Sequence, residues 1–410
     1  MPGPLHGVRV LDLSRVLAGP WCVQNLGDLG ADVIKVERPG AGDDSRQWGP
    51  PFLKDAQGRD SAESAYYLSA NRNKRSVAID VSTADGQGLI RRLAEHSDIF
   101  IENYKVGGMA KFGLDAGSIR LHNPRIIYCS ITGFGQDGPF AERPGYDYLF
   151  QGLGGLMSVT GERDDRPGGG PQRVGVPLVD LFTGMYATIA VLAALHHRDL
   201  TGDGQTIDVS LFDAVMALSS GQLSHYWCGL MPKRTGNASY AIAPYGTYPC
   251  ADGQMIVASA NQSQFVALCK AIGKPEWASD PRFINNAARM TNYDALYEAL
   301  SSVFRAKTRV EWEAILFKAG VPAGPINDYA QAVAHPQAKH RGTRIELEHA
   351  LGVRAPGVAS PMRFGATPVE YRRAPPVCGQ HTREVLTELL AMPEAEITRL
   401  EAAQVIATAR

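Results

Sequence analysis

Three consecutive segments, VRVLD (8–12), PWCVQNLGDL (20–29) and DVIKV (32–36), decide the fold class. The first and third are short apolar runs typical of buried strands, and the second has helical character and ends at Gly30. In this order they form one βαβ unit, in which a helix joins two parallel strands. We therefore expect an α/β protein.

The same alternation continues along the chain. Further strands are predicted at 75–80, 98–102 and 125–132, with a helix near 87–95, and another strand follows a glycine-containing turn at 205–211. Strands that alternate with helices form mostly parallel sheets whose two faces are both covered. This pattern predicts one large α/β domain with a parallel, Rossmann-like sheet.

The pattern changes after a long helical region that ends at Trp227. Two runs, 245–249 and 254–260, flank Asp252-Gly253, a dipeptide that favours a tight hairpin turn. A smaller α+β domain is therefore predicted, with a helix starting at the capping-box residue Thr308. The expected boundaries are 1–200 for the first part of the large domain, 201–229 for a linker or helix, 230–328 for the small domain, and 329–410 for a linker and the return to the large domain.

Charge and hydropathy limit the possible partners. The 410 residues contain 41 Lys plus Arg and 42 Asp plus Glu, so no net positive field favours nucleic acid or an anionic membrane. The N-terminus lacks a basic segment followed by a long apolar run. The most apolar stretch, 185–195, has 11 residues, whereas a membrane span needs roughly 20. We expect a buried helix there, no secretory signal and no membrane partner.

The motif content excludes several common enzyme classes. G-x-x-x-x-G-K-[ST] is missing, which argues against a P-loop ligase, and the first βα turn, SRVLAGP (14–20), does not match G-x-G-x-x-G, which argues against a dehydrogenase. G-x-S-x-G and H-E-x-x-H are missing too, which argues against common serine hydrolases and zinc proteases. The six cysteines form no close pair of the kind that binds zinc. We predict reduced cysteines, no metal site and a cytoplasmic location.

Asp180 is the strongest candidate for a reactive group. It lies in VGVPLVDLFTG (174–184), between apolar neighbours and before a helix expected to start near Thr183. An Asp at this position can be an ordinary N-cap, or its carboxylate can be a functional anion at a helix N-terminus. Glycines at 168–170, 175 and 184 favour the second interpretation, because small residues let a bulky substrate approach.

Several cations and one aromatic residue lie near the ends of predicted strands. Arg38 ends the second strand, NRNKRS (71–76) precedes the third, and NYK (103–105) follows the next. Together such cations can bind a polyphosphate at the carboxyl edge of the sheet, although each alone can be a solvated charge. In RPGYD (143–147), Tyr146 and its neighbour Asp147 suit either a cover over a ligand or a capped helix entrance.

Taken together, these segments resemble one family, the class III (CaiB/BaiF) CoA-transferases. The resemblance is carried by DLSRVLAGP (12–20), GADVIKVERPG (30–40), NRNKRS (71–76), EN (102–103), GFGQDGP (133–139), PGYD (144–147) and DLFTG (180–184). It spans nearly the whole chain. It implies a CoA-binding domain built from both chain ends, a small central domain, and a homodimer of two interlocked subunits.

The resemblance also implies the site residues. The nucleophile is the acid of D-x-x-T-G, which is Asp180 in this sequence. Coenzyme A and acyl-CoA are substrates, and no tightly bound cofactor is implied. The residues implied to contact CoA are Val16, Leu17, Ala18, Arg38, Ile79, Ser82, Asn103, Tyr104, Lys105, Lys111, Arg143 and Tyr146.

Two alternatives to a transferase stay open. The racemases of this family carry a histidine in G-H-D, where this chain has Gly145-Tyr146-Asp147, and a phenol with an ordinary pKa near 10 is a poor base for an α-proton at neutral pH. An α-methylacyl-CoA racemase type of isomerase is therefore less favoured. A non-catalytic acyl-CoA-binding protein is the other alternative, and it has no need for an acid at this position.

Within the family, the chain looks most like succinyl-CoA:glutarate transferases. The segments GAGDDSRQWGPP (40–51), NQSQF (261–265) and GVPAGPIN (320–327) carry this likeness. It implies succinyl-CoA as donor and a succinate-like or glutarate-like dianion as acceptor. A dianion needs a cation for its distal carboxylate, and Arg46 is a candidate because it lies close after the implied CoA loop. The implied route passes through an aspartyl anhydride and an aspartyl-CoA thioester, with N–H groups at the helix start stabilising the oxyanions.

Overall fold

The computed structural model describes residues 2–409. Within that range the chain forms fourteen strands: β1 (Arg9–Asp12), β2 (Asp32–Glu37), β3 (Phe52–Lys54), β4 (Asp60–Ser64), β5 (Lys74–Ile79), β6 (Ile99–Glu102), β7 (Ile127–Thr132), β8 (Thr206–Ser210), β9 (Tyr245–Cys250), β10 (Gly253–Ala258), β11 (Ala323–Pro325), β12 (Arg344–His349), β13 (Val353–Val358) and β14 (Ile406–Ala407).

The same described residues form seventeen α-helices: α1 (Ala18–Asp28), α2 (Ala65–Ser69), α3 (Ala84–Glu95), α4 (Ala116–His122), α5 (Asp147–Leu153), α6 (Leu156–Val159), α7 (Leu178–Thr201), α8 (Leu211–Leu218), α9 (Ser220–Trp227), α10 (Gln262–Ala271), α11 (Asn286–Thr291), α12 (Tyr293–Phe304), α13 (Arg309–Lys318), α14 (Tyr329–Ala334), α15 (Pro336–His340), α16 (Thr382–Leu390) and α17 (Glu394–Ala402). Short 3-10 helices cover Asp44–Gln47, Ala110–Phe112 and Pro275–Ala278.

Seven strands form the main sheet, in the order β14-β5-β2-β1-β6-β7-β8. Six of them run parallel to their neighbours, and β14 pairs antiparallel with β5 at one edge. In the centre, Val10 of β1 lies opposite Val33 of β2 and Ile99 of β6. The predicted α/β fold with a mostly parallel sheet is confirmed.

The sheet is buried as a parallel sheet between helices must be. Every residue of β5, β6 and β7 is buried, as expected for central strands of a covered parallel sheet. β6 and β7 are mostly apolar, whereas β5 begins with the polar residues Lys74, Arg75 and Ser76. One core cluster joins Leu11 and Phe100 of the sheet to Leu89 on α3, Leu386 on α16 and Ile397 on α17. The C-terminal helices therefore pack on the large sheet, as predicted.

The chain divides into two compact units. The larger consists of the residues up to Gly155, Val174–Leu223, and those from Gln337 onward, and the smaller consists of Leu156–Arg173 and Ser224–Pro336. The sequence boundaries assigned 1–200 to the large domain without interruption. The structure differs there, because Leu156–Arg173 makes its contacts within the smaller unit.

The smaller unit contains an antiparallel sheet with the order β11-β10-β9. The hairpin between β9 and β10 turns at the predicted dipeptide, where Gly253 has a φ of 144° that other residues rarely adopt. Phe265, Leu300, Phe304 and Trp312 belong to its core. The predicted capping box of α13 is also present, since Thr308 and Glu311 bond each other's backbone N–H groups.

Helix α7 is longer than its apolar run indicated. It has 24 residues, and an 18-residue window within it has a mean hydropathy of 1.9 and is 44% buried. By length and composition alone it could cross a membrane, and core helices of soluble proteins pass the same test. Phe182, Met185, Tyr186 and Ile189 form an exposed apolar row at helical spacing on it.

Candidate active site

Asp180 lies in the first turn of α7, at the third helical position. The helix begins at Leu178, directly after Pro177, which adopts the N-cap position. The expected start near Thr183 is therefore wrong, and so is the alternative in which Asp180 is an ordinary N-cap. Asp180 is buried, with 9% of its surface exposed. Its carboxylate belongs to the first turn of the helix and does not cap it.

Asp147, at the start of α5, performs the capping instead. Its Oδ2 accepts hydrogen bonds from the backbone N–H of Val179 at 2.7 Å and of Asp180 at 3.2 Å. Its Oδ1 accepts a third from the Gln151 side chain at 2.6 Å. Gln151 in turn accepts the N–H of Val174, so the segment that leads into α7 is held by α5.

The Asp180 carboxylate lacks comparable partners. Within residues 2–409 no side-chain or backbone donor bonds it. Burial raises the pKa of this carboxyl group from 3.8 to about 7, and the negative charge of Asp147 contributes to the same direction. A carboxylate with a raised pKa binds a proton more tightly and is also a stronger nucleophile when it is ionised.

A cavity of about 190 Å³ opens beside Asp180. The start of α1, the end of β6 and the segment before α5 all contribute to its walls. The predicted site residues that line this cavity together are Val16, Leu17, Ala18, Asn103, Tyr104, Lys105, Arg143, Tyr146 and Asp180.

The loop between β1 and α1 forms one wall and is tightly held. The Asn103 side chain accepts the N–H of Arg15 at 2.9 Å and donates to its carbonyl at 2.7 Å. Asp43 accepts the N–H of Val16 at 3.2 Å. Val16 has a φ of 71°, which is strained for a β-branched residue and is maintained by these contacts.

Comparison with known proteins decides the class of this site. Residues 5–382 match the model of CoA-transferase family III. The chain belongs to this family. It is therefore an enzyme that transfers coenzyme A.

Named relatives of this CoA-transferase are similar over most of their length. The chain is 45% identical over 387 residues to the succinate–glutarate CoA-transferase of Agrobacterium fabrum, with 94% of this chain and 96% of that protein covered. It is 41% identical over 406 residues to the human succinyl-CoA:glutarate CoA-transferase, with 98% and 90% covered. A crystal structure of a CaiB/BaiF family protein from Brucella suis superposes with a TM-score of 0.84 at 45% identity, covering 95% of this chain and 100% of that one.

Four predicted CoA contacts lie outside the cavity of this CoA-transferase. Arg38 lines a second cavity together with Asp80 and residues of β14, and Ser82 and Lys111 are exposed elsewhere on the large unit. Ile79 is buried in the core and pairs with Ile406 of β14. The structure does not bring these four together with Asp180, and their contacts with CoA stay predictions.

The cations of NRNKRS (71–76) do not form a polyphosphate site. Arg72 pairs with Asp28, Lys74 with Asp12 and Arg75 with Asp32, and all three cations are buried. The residues are therefore neither free ligands for phosphate nor solvated charges. They join the start of β5 to the neighbouring elements of the large unit.

Arg46 is likewise unable to bind a substrate carboxylate. It is buried, pairs with Glu37 and Glu63, and donates to the Tyr67 hydroxyl at 2.6 Å and the Pro376 carbonyl at 3.0 Å. The guanidinium group is buried among these partners and is therefore not accessible to a ligand. The hypothesis that Arg46 holds the distal carboxylate is wrong.

Gly184 does not open a path to Asp180 either. A Cβ added there would lie 2.6 Å from the Ala18 carbonyl and 3.1 Å from the Trp21 ring. The glycine therefore allows α7 to pack closely on the start of α1. It places the cavity wall against the helix that carries Asp180.

Sequence reasoning misses two groups near Asp180. Asp147 stands out in the sequence only as part of a turn, and its cap on α7 joins residues more than thirty positions apart. Tyr66 on α2 carries no signal at all, yet burial and then the charge of Asp180 raise the pKa of its phenol. No local pattern marks either role. Within the described residues no cluster of three or more potential metal ligands is present.

Proposed function

We propose that this enzyme transfers CoA from succinyl-CoA to a dicarboxylate such as glutarate, with Asp180 as the covalent nucleophile. The observation that carries the proposal is the position of the Asp180 carboxylate. It is buried, accepts no hydrogen bond from the described residues, and lines the same cavity as most of the implied CoA contacts. The relatives at 41–45% identity named for succinate or succinyl-CoA and glutarate supply the substrates.

In the first half-reaction the Asp180 carboxylate attacks the thioester carbonyl of succinyl-CoA. The carbon–sulfur bond breaks, a mixed succinyl-aspartyl anhydride forms, and CoA leaves as a thiolate. The thiolate then attacks the aspartyl carbonyl of the anhydride. Succinate departs as a carboxylate, and an aspartyl-CoA thioester remains.

The second half-reaction reverses these steps with the acceptor. The acceptor carboxylate attacks the aspartyl thioester, which expels CoA thiolate and forms a new anhydride. Attack of the thiolate on the acceptor carbonyl yields the new acyl-CoA and restores the Asp180 carboxylate. No proton, water or nucleotide is consumed, which agrees with the missing P-loop.

The oxyanion donors for these steps come from α1 in our proposal. The expected donors at the start of α7 are bound to Asp147 or to the preceding turn. In contrast, α1 begins at Ala18 in the cavity wall and has no side-chain cap. Free N–H groups at a helix start stabilise negative charge, and each oxyanion donor contributes roughly 3 kcal/mol in measured cases.

The cavity also suits anionic substrates. Three cations, Arg15, Lys105 and Arg143, line it against two acids, Asp44 and Asp180. The ion pair between Arg15 and Asp44 is exposed and therefore weak, so a substrate anion can replace Asp44 at little cost. We expect glutarate to compete far better than butyrate as acceptor, and equal rates with both acids would contradict the assignment of a dianion.

Trapping the covalent intermediate tests the nucleophile. The protein is incubated with succinyl-CoA and then with hydroxylamine, which converts an activated carboxyl group into a hydroxamate, and the labelled peptide is mapped by mass spectrometry. We expect a label on Asp180, its loss in Asp180→Ala, and its retention in Asp199→Ala. Asp199 is a matched control because it is an exposed acid on the last turn of the same helix.

A label at another residue, or normal turnover by Asp180→Ala, would reject this function. Exchange of the α-hydrogen of an acyl-CoA in deuterium oxide, without CoA transfer, would instead favour the isomerase.

We also propose that the enzyme is a cytoplasmic homodimer. The exposed row on α7, from Phe182 to Ile189, is too apolar for a solvated surface and needs a cover. A second copy of the chain is the cover that the family resemblance implies. Light scattering of the purified protein should give twice the mass of 44.2 kDa. If the protein sedimented with membranes and needed detergent to stay in solution, both the cytoplasmic location and the homodimer would be refuted.

A further inference from the structure

Two carboxylates meet at the start of α7 with very different surroundings. Asp147 and Asp180 are both about 9% exposed. Asp147 accepts three hydrogen bonds, from Val179, Asp180 and Gln151. Asp180 accepts none from residues 2–409. The two acids are close enough for the charge of one to oppose the ionisation of the other.

The backbone donors of the first turn explain this difference. The Leu178 N–H bonds the Val176 carbonyl at 2.8 Å, and the Leu181 N–H bonds the Pro177 carbonyl at 3.2 Å. The two N–H groups between them donate to Asp147. The Leu181 bond is the first one within the helix, and Pro177 has no N–H. The three donors that α7 leaves open at its N-terminus are thus all bound, and the Asp180 carboxylate accepts a hydrogen bond from none of them.

We propose that Asp147 is a positioning residue that keeps Asp180 nucleophilic, by binding the N–H groups that would otherwise stabilise its anion and by adding a negative charge beside it. The proposal rests on the assigned role of Asp180 as nucleophile. Asp147 does not touch substrate in this role. It acts through α7.

The same arrangement favours the covalent intermediates. When Asp180 is ionised it carries a negative charge beside that of Asp147, whereas in the anhydride and the aspartyl-CoA thioester it is neutral. An environment that disfavours the anion therefore shifts the equilibrium towards acylated enzyme. Asp147 should raise the fraction of enzyme present as aspartyl-CoA thioester.

Other charged groups around Asp180 do not cancel this effect. Arg15, Asp44, Tyr104, Lys105, Arg143 and Tyr146 line the same cavity, yet the pKa of Asp180 is raised. On the elements packed against α7, the Cys22 thiol of α1 bonds Thr188, Cys129 of β7 is fully buried, and Asp208 of β8 accepts the N–H of Gln136. Asp213 lies in the first turn of α8, and burial and the charge of Asp180 raise the pKa of Tyr66 on α2.

The test is the pH dependence of kcat/KM in Asp147→Asn. The amide oxygen keeps an acceptor for the two N–H groups, while the charge is removed. The midpoint of the acid limb should move down by about one pH unit, which at pH 6 gives about a fivefold larger ionised fraction of Asp180. The share of enzyme trapped as aspartyl-CoA thioester should fall. Asp147→Glu, which keeps the charge, should retain the midpoint of the wild type.

Asp213→Asn is the matched control, because Asp213 is an exposed acid in the first turn of α8. It should leave the acid limb unchanged. If Asp147→Asn does not fold, Asp147→Ser supplies an uncharged cap for the same measurement. If turnover is too slow, the pH dependence of the hydroxylamine-trapped adduct in a single turnover replaces kcat/KM.

An unchanged midpoint in the uncharged variants, with only kcat or stability lowered, would overturn the proposal and leave Asp147 as a structural cap. That outcome differs from failure of the proposed function. If the proposed function were wrong, the wild type itself would carry no hydroxamate label on Asp180.

Discussion

Replacing Asp180 with asparagine should stabilise the protein, and the gain should grow with pH. The ionised carboxylate is buried without donors and beside Asp147. Folding therefore carries a cost whenever Asp180 is ionised. Asparagine has nearly the same shape and no charge, so it removes that cost and leaves the packing of α7 in place.

The size of the effect follows from the pKa of Asp180. This pKa rises from 3.8 to about 7 on folding, and each tenfold increase in proton affinity corresponds to about 1.4 kcal/mol. Because the native state holds its proton longer than the unfolded state, stability is unaffected below pH 4 and decreases as the pH rises towards 7. The cost is about 1.5 kcal/mol at pH 5 and about 4 kcal/mol at pH 8.

Urea unfolding of the wild type and Asp180→Asn at pH 5 and pH 8 measures this difference. A new amide buried without a partner costs about 1–3 kcal/mol, but that cost is the same at both pH values. The difference between the two gains, about 2–3 kcal/mol, is therefore the informative quantity. Asp199→Asn is the control, and the intact mass shows that no deamidation has occurred. Equal gains at pH 5 and pH 8 would refute a raised pKa for Asp180.

Three further changes have expected outcomes. In the wild type, kcat/KM at pH 6 should be about tenfold lower than its plateau value at high pH, since the raised pKa of Asp180 leaves only a small ionised fraction at pH 6. A midpoint of the acid limb near pH 4 would contradict this. Arg46→Met should lower stability in urea by about 3–5 kcal/mol, because it leaves two buried glutamates unpaired; a loss below about 1 kcal/mol would show that they are protonated or solvated. Asn103→Ala removes both bonds to Arg15 and should lower kcat/KM about 5–30-fold while stability changes little, whereas unchanged kinetics would show that the loop needs no support.

The central fold could be predicted because its signal is local. β6 and β7 are buried throughout, and their apolar runs identify them without any tertiary information. β14 has no such signal, since it has two residues and exists only through its pairing with Ile79 and Ala78 of β5. The predicted boundaries place the Leu156–Arg173 segment in the wrong unit for a related reason. Its assignment depends on contacts with distant residues.

The charged groups are harder to predict than the fold. The positions of Arg46, Arg72 and Lys74 in the sequence suggest ligand-binding or solvated cations, and each is buried in an ion pair. Their acidic partners lie 9 to 62 residues away in sequence. A basic cluster near a strand end therefore indicates a phosphate site only when the surrounding acids are already bound to other groups.

Asp180 could be named from its motif, but its reactivity could not be derived from it. A raised pKa alone would not identify it, because burial also raises the pKa of Glu63, which is held by Arg46 away from the cavity. Asp43 is more deeply buried than Asp180, yet Lys35 and the Ser45 N–H lower its pKa to about 2. What separates Asp180 from these acids is that its nearest donors are bound to a second acid. The decisive contact is the one between Asp147 and the start of α7, and it forms only when α5 and α7 have packed.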